Sequence, residues 1–309
     1  MSTQHVDTRL NRRHALVAAG SLALGGVAAR ARAEEALGPP VRDLVVRDVT
    51  MPPWRGTPRR YVLLIPTHLG PSEHVPLLVL LHGLAETADP KMGAYAWLER
   101  YGAGTAYDRL RRAPVERTSR RGDWTDARLA EVNAALAAEP FRGMALVCPF
   151  IPNVYKSASP QAEMDALAAW IADEVVPACQ VDAPIVPDPS RTGLDGCSLG
   201  GFVGLEVFLR RPEAFATWGG VQSAISEAGA VGYADRLAKA VERVGPRKLH
   251  VESSSQDPYR TANERLAAEL ARRKLPCELR VPPGPHDQPW LRETGTIEML
   301  AWHDRALRR

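Results

Sequence analysis

The sequence predicts an α/β protein built on a mostly parallel central sheet of about eight strands, with helices on both faces. Short strand-like apolar runs alternate with helix-like segments along most of the 309 residues. The run at 77–82 is apolar up to its final histidine, which is typical of a strand buried on both faces. A hydrophobic content of 45% is enough for one large core, so a single α/β domain is expected.

The strand pattern recurs eight times, and helices are expected in the intervals. The predicted strands are residues 43–49, 60–66, 77–82, 144–149, 191–196, 216–222, 248–253 and 277–282. The clearest helix begins at Ser159, an N-cap residue followed by Pro160, and carries an apolar face as far as Val175. The longest interval, residues 84–143, is an insertion that can cap an active site.

The N-terminus has the pattern of an export signal. Arg12 and Arg13 precede an apolar stretch, residues 15–29, and an Ala-x-Ala site that ends at Ala33. This pattern predicts a twin-arginine signal peptide over residues 1–33, cleaved after Ala33, with the twin-arginine export machinery as a partner and a periplasmic or secreted location in a bacterium. A membrane anchor is the alternative, but the stretch is shorter than the roughly 20 residues that cross a bilayer.

The charge distribution gives no support for nucleic-acid binding. The formal net charge is +3, but residues 1–33 hold five arginines and one aspartate, so residues 34–309 are close to neutral. Six arginines in the insertion could recognise an anion, although interleaved acids favour a solvated face. The four cysteines lack metal-ligand spacing, and no cofactor is predicted; a disulfide remains open.

Residues 193–201, Gly-Leu-Asp-Gly-Cys-Ser-Leu-Gly-Gly, place Ser198 between Gly196 and Gly200. A serine in this setting, at the turn from a predicted strand into an apolar helix, is typical of a nucleophile elbow. The sharp turn holds the hydroxyl clear of the sheet, and the N-terminus of the helix beginning at Leu199 points towards it. Ser198 is therefore the candidate nucleophile.

Candidates for the other two members of a catalytic triad follow in the loops after two predicted strands. Asp257 follows the strand at 248–253, and His286 follows the strand at 277–282. Both loops are at strand C-termini, where open α/β sheets carry their chemistry. Glu252 and Asp287 are rival acids, and His82 is a rival base that is better explained as a structural group of its loop.

These motifs give the chain a resemblance to the esterase D and enterochelin-esterase branch of the α/β-hydrolases, which also includes feruloyl esterases and mycolyltransferases. The matching stretches are residues 80–83, 193–202, 211–215, 257–258 and 283–286. The chain order Ser, Asp, His is that of the α/β-hydrolases. The resemblance implies that fold and a serine mechanism, whereas Cys197, before the nucleophile, departs from the more usual residues and leaves the subfamily open.

The resemblance also implies an oxyanion hole made by two backbone N–H groups. We assign these to Leu84, in the loop after the strand at 77–82, and to Leu199, the residue after the nucleophile. Gly83 lets the backbone approach the ester carbonyl closely. Among the aromatic residues, Trp290, Trp124 and Tyr155 are expected to line the substrate site.

The sequence therefore predicts an exported serine hydrolase that cleaves a carboxylic ester, either a small molecule or one linked to a carbohydrate. Three alternatives stay open: acyl transfer to a sugar hydroxyl, as in mycolyltransferases, peptide hydrolysis, and a non-catalytic exported binding protein. The complete set of Ser198, Asp257 and His286 argues against the last of these. The acyl and alcohol specificities are not determined by the sequence.

Overall fold

An eight-stranded sheet forms the centre of the computed structural model, which describes residues 41–308. The predicted signal segment, residues 1–33, lies outside the described residues. The strand order is β1-β2-β4-β3-β5-β6-β7-β8. The strands are β1 Leu44–Trp54, β2 Thr57–Pro66, β3 Leu77–Leu81, β4 Ala145–Pro149, β5 Thr192–Gly196, β6 Thr217–Val221, β7 Lys248–Glu252 and β8 Cys277–Arg280. The pairs β1–β2 and β2–β4 are antiparallel and the remaining pairs are parallel, so the predicted mostly parallel sheet is confirmed.

The largest difference from the predicted strands is in β1. This strand continues past Pro52 and Pro53 to Trp54 and forms a long hairpin with β2. Two prolines cannot donate to a sheet ladder, and they are tolerated here because β1 is an edge strand. The register with β2 shifts between Met51 and Trp54, which accommodates them.

Helices cover both faces of the sheet, as predicted. They are α1 Pro90–Glu99, α2 Ala103–Arg111, α3 Asp126–Ala138, α4 Pro160–Ala169, α5 Val176–Asp182, α6 Leu199–Arg210, α7 Ala230–Val244, α8 Arg260–Arg272, α9 Gln288–Trp290 and α10 Thr296–Leu307. One apolar core lies under α4, α6, α7 and α8, and a second lies under α1, α2, α3 and α10. No helix within residues 41–308 combines the length and apolarity needed to cross a membrane.

The helix predicted to begin after Ser159 does start at Pro160, with two differences. Ser159 occupies the N-cap position, but its side chain makes no capping hydrogen bond. The predicted helix is also interrupted by a π-helical turn, Trp170–Val175, before it continues as α5. Pro177 explains the turn, because it has no N–H for the carbonyl of Asp173 and its ring would collide with that carbonyl in a regular α-helix.

The insertion at residues 84–143 contributes three helices to the layer on one face of the sheet, and its expected role as an active-site cap stays a prediction. Its helices α1, α2 and α3 bury Trp97, Tyr107 and Leu136 in the second core. Its loop after α2 reaches the segment around His286, because Arg121 forms an ion pair with Asp287. The insertion therefore packs against the sheet through its helices and contacts the segment after His286 through Arg121.

Candidate active site

Ser198 occupies the tight turn between β5 and α6. Its backbone has φ 55° and ψ −116°, a region that a residue with a side chain rarely adopts. The turn is held by the Ser198 N–H, which donates to the Val221 carbonyl at 2.9 Å. A Cβ at Gly196 would lie 2.4 Å from the Gly200 oxygen, and one at Gly200 would lie 2.1 Å from the Leu81 oxygen. Both glycines are therefore required for the elbow predicted from the sequence.

The structure brings Ser198, His286 and Asp257 into one hydrogen-bonded row. His286 Nε2 lies 3.1 Å from Ser198 Oγ, and His286 Nδ1 lies 2.8 Å from Asp257 Oδ1. With Asp257 as the acceptor, Nδ1 carries the proton and Nε2 is left to accept from the serine hydroxyl. The His286 side chain is 17% exposed, whereas the Asp257 side chain is fully covered. The row is thus open to solvent at its hydroxyl end.

Asp257 is fixed by its own loop. Its Oδ2 accepts from Ser253 Oγ at 2.6 Å, and its Oδ1 also accepts from the Tyr259 N–H at 3.1 Å. These donors satisfy the buried carboxylate and set its orientation towards His286. The carboxylate can therefore hold one ring tautomer and stabilise the imidazolium that would form if His286 took a proton.

The two rival acids, Asp287 and Glu252, are not part of this hydrogen-bonded row. Asp287 accepts from the Trp290 N–H at 2.9 Å and forms a two-pronged ion pair with Arg121, with both N–O distances 3.0 Å. Glu252 is fully buried, and within residues 41–308 its carboxylate oxygens have no hydrogen-bond partner. Burial raises the pKa of Glu252 well above its usual value. Within residues 41–308, the His286 ring nitrogens are paired with Asp257 and Ser198 and with neither of these two carboxylates.

His82 is a neutral structural histidine. Its Nε2 accepts from the Ile151 N–H at 2.9 Å, which leaves Nδ1 to donate to the Gly83 carbonyl, also at 2.9 Å. Burial lowers the pKa of His82 to about 4. Both nitrogens are occupied and the ring is fully buried, so His82 is not available as a base for Ser198.

Leu84 and Leu199, the residues assigned to the oxyanion hole, follow the ends of two neighbouring strands, β3 and β5. Leu199 is the first residue of α6, where a backbone N–H has no partner within the helix. Leu84 directly follows the His82–Gly83 pair at the end of β3, and its neighbour strand β5 leads into Ser198. In the described part of the chain, neither N–H donates to another backbone carbonyl across a turn or loop. Neither N–H is therefore taken up by a turn, and their role as oxyanion donors stays a prediction.

Gln222 is a site-supporting residue that the sequence analysis missed. It follows β6 with φ 50°, and its amide Nε2 donates to Ser254 Oγ at 2.7 Å and to the Pro285 carbonyl at 3.1 Å. Gln222 therefore joins the loops that carry Asp257 and His286. A lone glutamine after a strand has no distinctive pattern in the sequence. Its role is apparent only from the structure, where its φ is positive and its amide joins two loops.

Tyr155 lies in an aromatic cluster beside the nucleophile helix. The half-buried Tyr155 ring stacks on Phe202 of α6, with centroids 6.1 Å apart and planes 7° apart. Tyr233 meets the edge of Phe202, and Tyr259 meets the His286 ring at 5.6 Å. Burial raises the pKa of Tyr155 to about 12, so the phenol stays neutral. This cluster offers apolar rings and phenol hydroxyls next to Ser198 and His286.

The structure places Trp290 and Trp124 away from any substrate surface, so these two assignments were wrong. Trp290 is fully buried and donates from Nε1 to the Pro283 carbonyl at 2.8 Å. Its indole fills the space left by two glycines: a Cβ at Gly284 would lie 2.2 Å from it and one at Gly295 would lie 2.5 Å from it. Trp124 is 3% exposed and donates to the Glu293 carbonyl. Both rings support the His286 segment from within the core.

The arginines of the insertion and the four cysteines were the other candidate binding groups in the sequence. Arg109, Arg112, Arg117 and Arg121 of the insertion form ion pairs with nearby carboxylates. All four cysteines are free, and three are buried. Within residues 41–308, His, Cys, Asp and Glu side chains form no group of three suited to a metal ion.

The sheet order and the solved structures that match it identify the fold. A ferulic acid esterase aligns with 85% of this chain and 99% of its own, at a TM-score of 0.63 and 16% identity. This is the α/β-hydrolase fold. S-formylglutathione hydrolase from Staphylococcus aureus aligns with 87% of this chain and 100% of its own, at a TM-score of 0.59 and 16% identity.

A third α/β-hydrolase, the enterobactin esterase of Shigella flexneri, aligns with 88% of this chain and 62% of its own, at a TM-score of 0.53 and 17% identity. No protein-family model and no curated protein sequence matches the chain. At these identities the likeness establishes the fold, and the chemistry has to be argued from the site.

Proposed function

We propose that the protein is a serine hydrolase that cleaves a carboxylic ester through Ser198, His286 and Asp257. One observation carries the proposal: the hydroxyl of a backbone-strained serine at a helix N-terminus lies 3.1 Å from an imidazole nitrogen whose other nitrogen is held by a buried carboxylate. Strain of this kind persists only where surrounding structure imposes it, and it is concentrated at functional sites. The three structural neighbours described above are esterases or hydrolases by name, which agrees with this chemistry.

The mechanism follows from the positions of these atoms. His286 Nε2 takes the proton of Ser198 as Oγ attacks the ester carbonyl, and Asp257 stabilises the resulting imidazolium. The N–H groups of Leu84 and Leu199 donate to the oxygen that becomes negative. His286 then gives its proton to the leaving alkoxide, which leaves as the alcohol, and an acyl group remains on Ser198. Water, deprotonated by His286, releases the acid and restores the serine.

Tyr155 is the proposed substrate contact. Its half-buried ring stacks on the buried Phe202 of α6, and Tyr259 borders His286. Such aromatic surroundings suit an acyl or aryl group with polar substituents, whether the ester is a small molecule or is attached to a carbohydrate.

The test is to profile the purified protein on p-nitrophenyl esters of graded chain length, feruloyl esters and acetylated sugars, and to map the residue labelled by a fluorophosphonate. We expect ester hydrolysis and labelling at Ser198. Labelling at Ser223 or Ser254 would contradict the assignment, and absence of both hydrolysis and labelling would favour a non-catalytic binding protein.

Acyl transfer and peptide hydrolysis are the rival reactions on the same site. Both would use the same acyl-enzyme, and they differ in the acceptor or in the bond that is broken. Adding a sugar alcohol to the ester assay separates them: formation of a new ester in preference to the free acid would identify a transferase. Cleavage of peptides in preference to esters would identify a peptidase.

Export is a separate proposal that rests on residues 1–33 alone. Arg12 and Arg13 would direct the folded protein to the twin-arginine machinery, with cleavage after Ala33. Changing both arginines to lysine should retain an active precursor in the cytoplasm, measured by cell fractionation. N-terminal sequencing of exported protein should give Glu34 as the first residue. Export that ignores the arginine pair, or a membrane-bound chain that begins near Met1, would contradict the proposal.

A further inference from the structure

A buried chain of hydrogen bonds runs beneath the loop that carries Leu84. The Gly83 N–H donates to the hydroxyl of Tyr101 at 3.0 Å, and that hydroxyl donates to the carboxylate of Glu86. The other oxygen of Glu86 accepts from Gln288 Nε2 at 3.2 Å. Tyr101 and Glu86 are 3% and 1% exposed. The chain therefore joins three segments: the loop after β3, Tyr101 two residues beyond the end of α1, and Gln288 at the start of α9.

Burying the Glu86 side chain is energetically unfavourable, so filling space does not explain its presence at this position. Burial raises its pKa, and the nearest cation, Arg100, is 3.9 Å away. A carboxyl group removed from water costs several kcal/mol unless its partners compensate. An apolar side chain would pack there without that cost. The carboxylate instead orients the Tyr101 hydroxyl, which can then accept from Gly83.

The two peptide units on either side of Gly83 are both held in place. Tyr101 holds the N–H of the first unit, and His82 Nδ1 holds the carbonyl of the second. The second unit is the Gly83–Leu84 peptide. Because the carbonyl and N–H of a trans peptide point in opposite directions, a carbonyl turned towards His82 turns the Leu84 N–H away from it. Neither unit can rotate without breaking a buried hydrogen bond.

We propose that Tyr101 and Glu86 are positioning residues that aim the Leu84 N–H at the oxyanion and, through Gln288, keep this loop in register with the segment that carries His286. The inference rests on the proposed function, because it concerns the same oxyanion hole. Neither side chain touches the substrate; each acts through the backbone of Gly83. Donors that are already oriented before the reaction are effective because no reorganisation is needed as the charge develops.

The decisive variant is Tyr101→Phe, which removes one hydroxyl and keeps the ring that packs edge-on against Trp97. We expect kcat on an activated ester to fall by about tenfold to a hundredfold, less than the loss of a donor itself, with KM changed by less than about threefold. The affinity for a trifluoromethyl ketone, which forms a tetrahedral oxyanion on the serine, should fall by the same factor as kcat/KM. A purely structural role would not link these two quantities.

Tyr95→Phe is the matched control. Tyr95 lies in α1, and its hydroxyl donates to Asp48 at 3.1 Å, away from the loop. Its removal should leave kcat and the ketone affinity unchanged. Glu86→Gln keeps an oxygen that can accept from Tyr101 and should retain activity within about fivefold, whereas Glu86→Leu should behave like Tyr101→Phe.

The outcomes separate this inference from the proposed function. Tyr101→Phe with unchanged kcat, or with kcat lowered while the ketone affinity is unchanged, overturns the positioning role if Ser198→Ala is inactive in the same assay. Hydrolysis that survives in Ser198→Ala overturns the proposed function and this inference with it. Equal losses in Tyr95→Phe and Tyr101→Phe would also reject the specific role of Tyr101.

Discussion

Within residues 41–308, two arrays join a carboxylate, an imidazole and a hydroxyl in a row. In the first, Asp257 lies 2.8 Å from His286 and His286 lies 3.1 Å from Ser198. In the second, Asp195 lies 2.8 Å from His303, whose other nitrogen lies 3.0 Å from the hydroxyl of Thr217. The bonding and the distances are nearly the same.

The surroundings of the two rows are different. Ser198 stands on a strained turn at a helix N-terminus, and His286 is partly exposed. Asp195 and His303 are fully buried, and Thr217 lies within β6. This second row ties α10 to the underside of the sheet. Access, backbone strain and the proposed oxyanion donors therefore distinguish the candidate reactive site, whereas the same three kinds of residue in a row can also have a purely structural role.

The largest expected effect is on ester hydrolysis when the hydroxyl of Ser198, and not that of Thr217, is removed. Ser198→Ala should lower hydrolysis of an activated ester by at least about a thousandfold, because removing the nucleophile disables a triad that acts as a unit. The variant should keep the fold and lose fluorophosphonate labelling. Thr217→Val should keep both activity and labelling. Activity that depended on Thr217 and survived in Ser198→Ala would reverse the comparison.

The acids provide the next test. Asp257→Asn should lower kcat by at least about a hundredfold, because an amide can select the wrong tautomer of His286 and does not stabilise its charged form. Asp287→Asn removes the partner of Arg121 at an exposed ion pair and should have a much milder effect. Steady-state kinetics of both variants decide the ranking, and the reverse order would remove Asp257 from its role.

A third histidine, His82, should make the stability of the fold depend on pH. The pKa of His82 is lowered to about 4 by burial, against an ordinary value of 6.5. The folded protein therefore binds fewer protons at this site than the unfolded chain does, and the contribution of neutral His82 to stability, complete above about pH 6.5, is lost as pH falls towards 4. The shift corresponds to about 3 kcal/mol.

Several buried carboxyl groups with raised pKa values oppose this trend, so a difference between variants is needed to isolate His82. We expect urea unfolding of wild type and His82→Gln to differ most at pH 7 and to converge towards pH 4. A difference that is independent of pH would show that His82 is not neutral in the folded protein.

The smallest expected effect is on the stability of the second row. Thr217→Val leaves one nitrogen of His303 without its buried partner, which should lower the free energy of unfolding by about 1–3 kcal/mol. Urea unfolding measures the loss, and kcat per folded molecule should stay within about twofold of wild type. A large fall in kcat with unchanged stability would mean that the second row acts on the reaction.

The sheet and the three residues of the first row could be predicted because each depends on local sequence. Apolar runs marked the strands, and Gly196 and Gly200 marked a turn that only glycine can form. The second row escaped notice because Asp195, Thr217 and His303 come from two strands and a helix, and no spacing in the sequence links them.

Two of the three aromatic assignments, Trp290 and Trp124, failed for a related reason. Trp290 lies four residues after His286, and Trp124 lies in the insertion at residues 84–143. Closeness in sequence does not distinguish a residue that lines a pocket from one in the core. The space that Trp290 fills is created by Gly284 and Gly295, which lie six residues before it and five after it. Complementarity of this kind becomes visible only in three dimensions.

The position of the first row along the chain has a consequence for synthesis. Strand β8 lies at the edge of the sheet and is made after the other seven strands of residues 41–308, and His286 follows it. His303 of the second row is made later still, in α10. A chain still being translated can therefore build most of the sheet while it has no base for Ser198. We expect chains that stop before His286 to show no ester hydrolysis, even where the preceding strands have formed, because they have no base for Ser198.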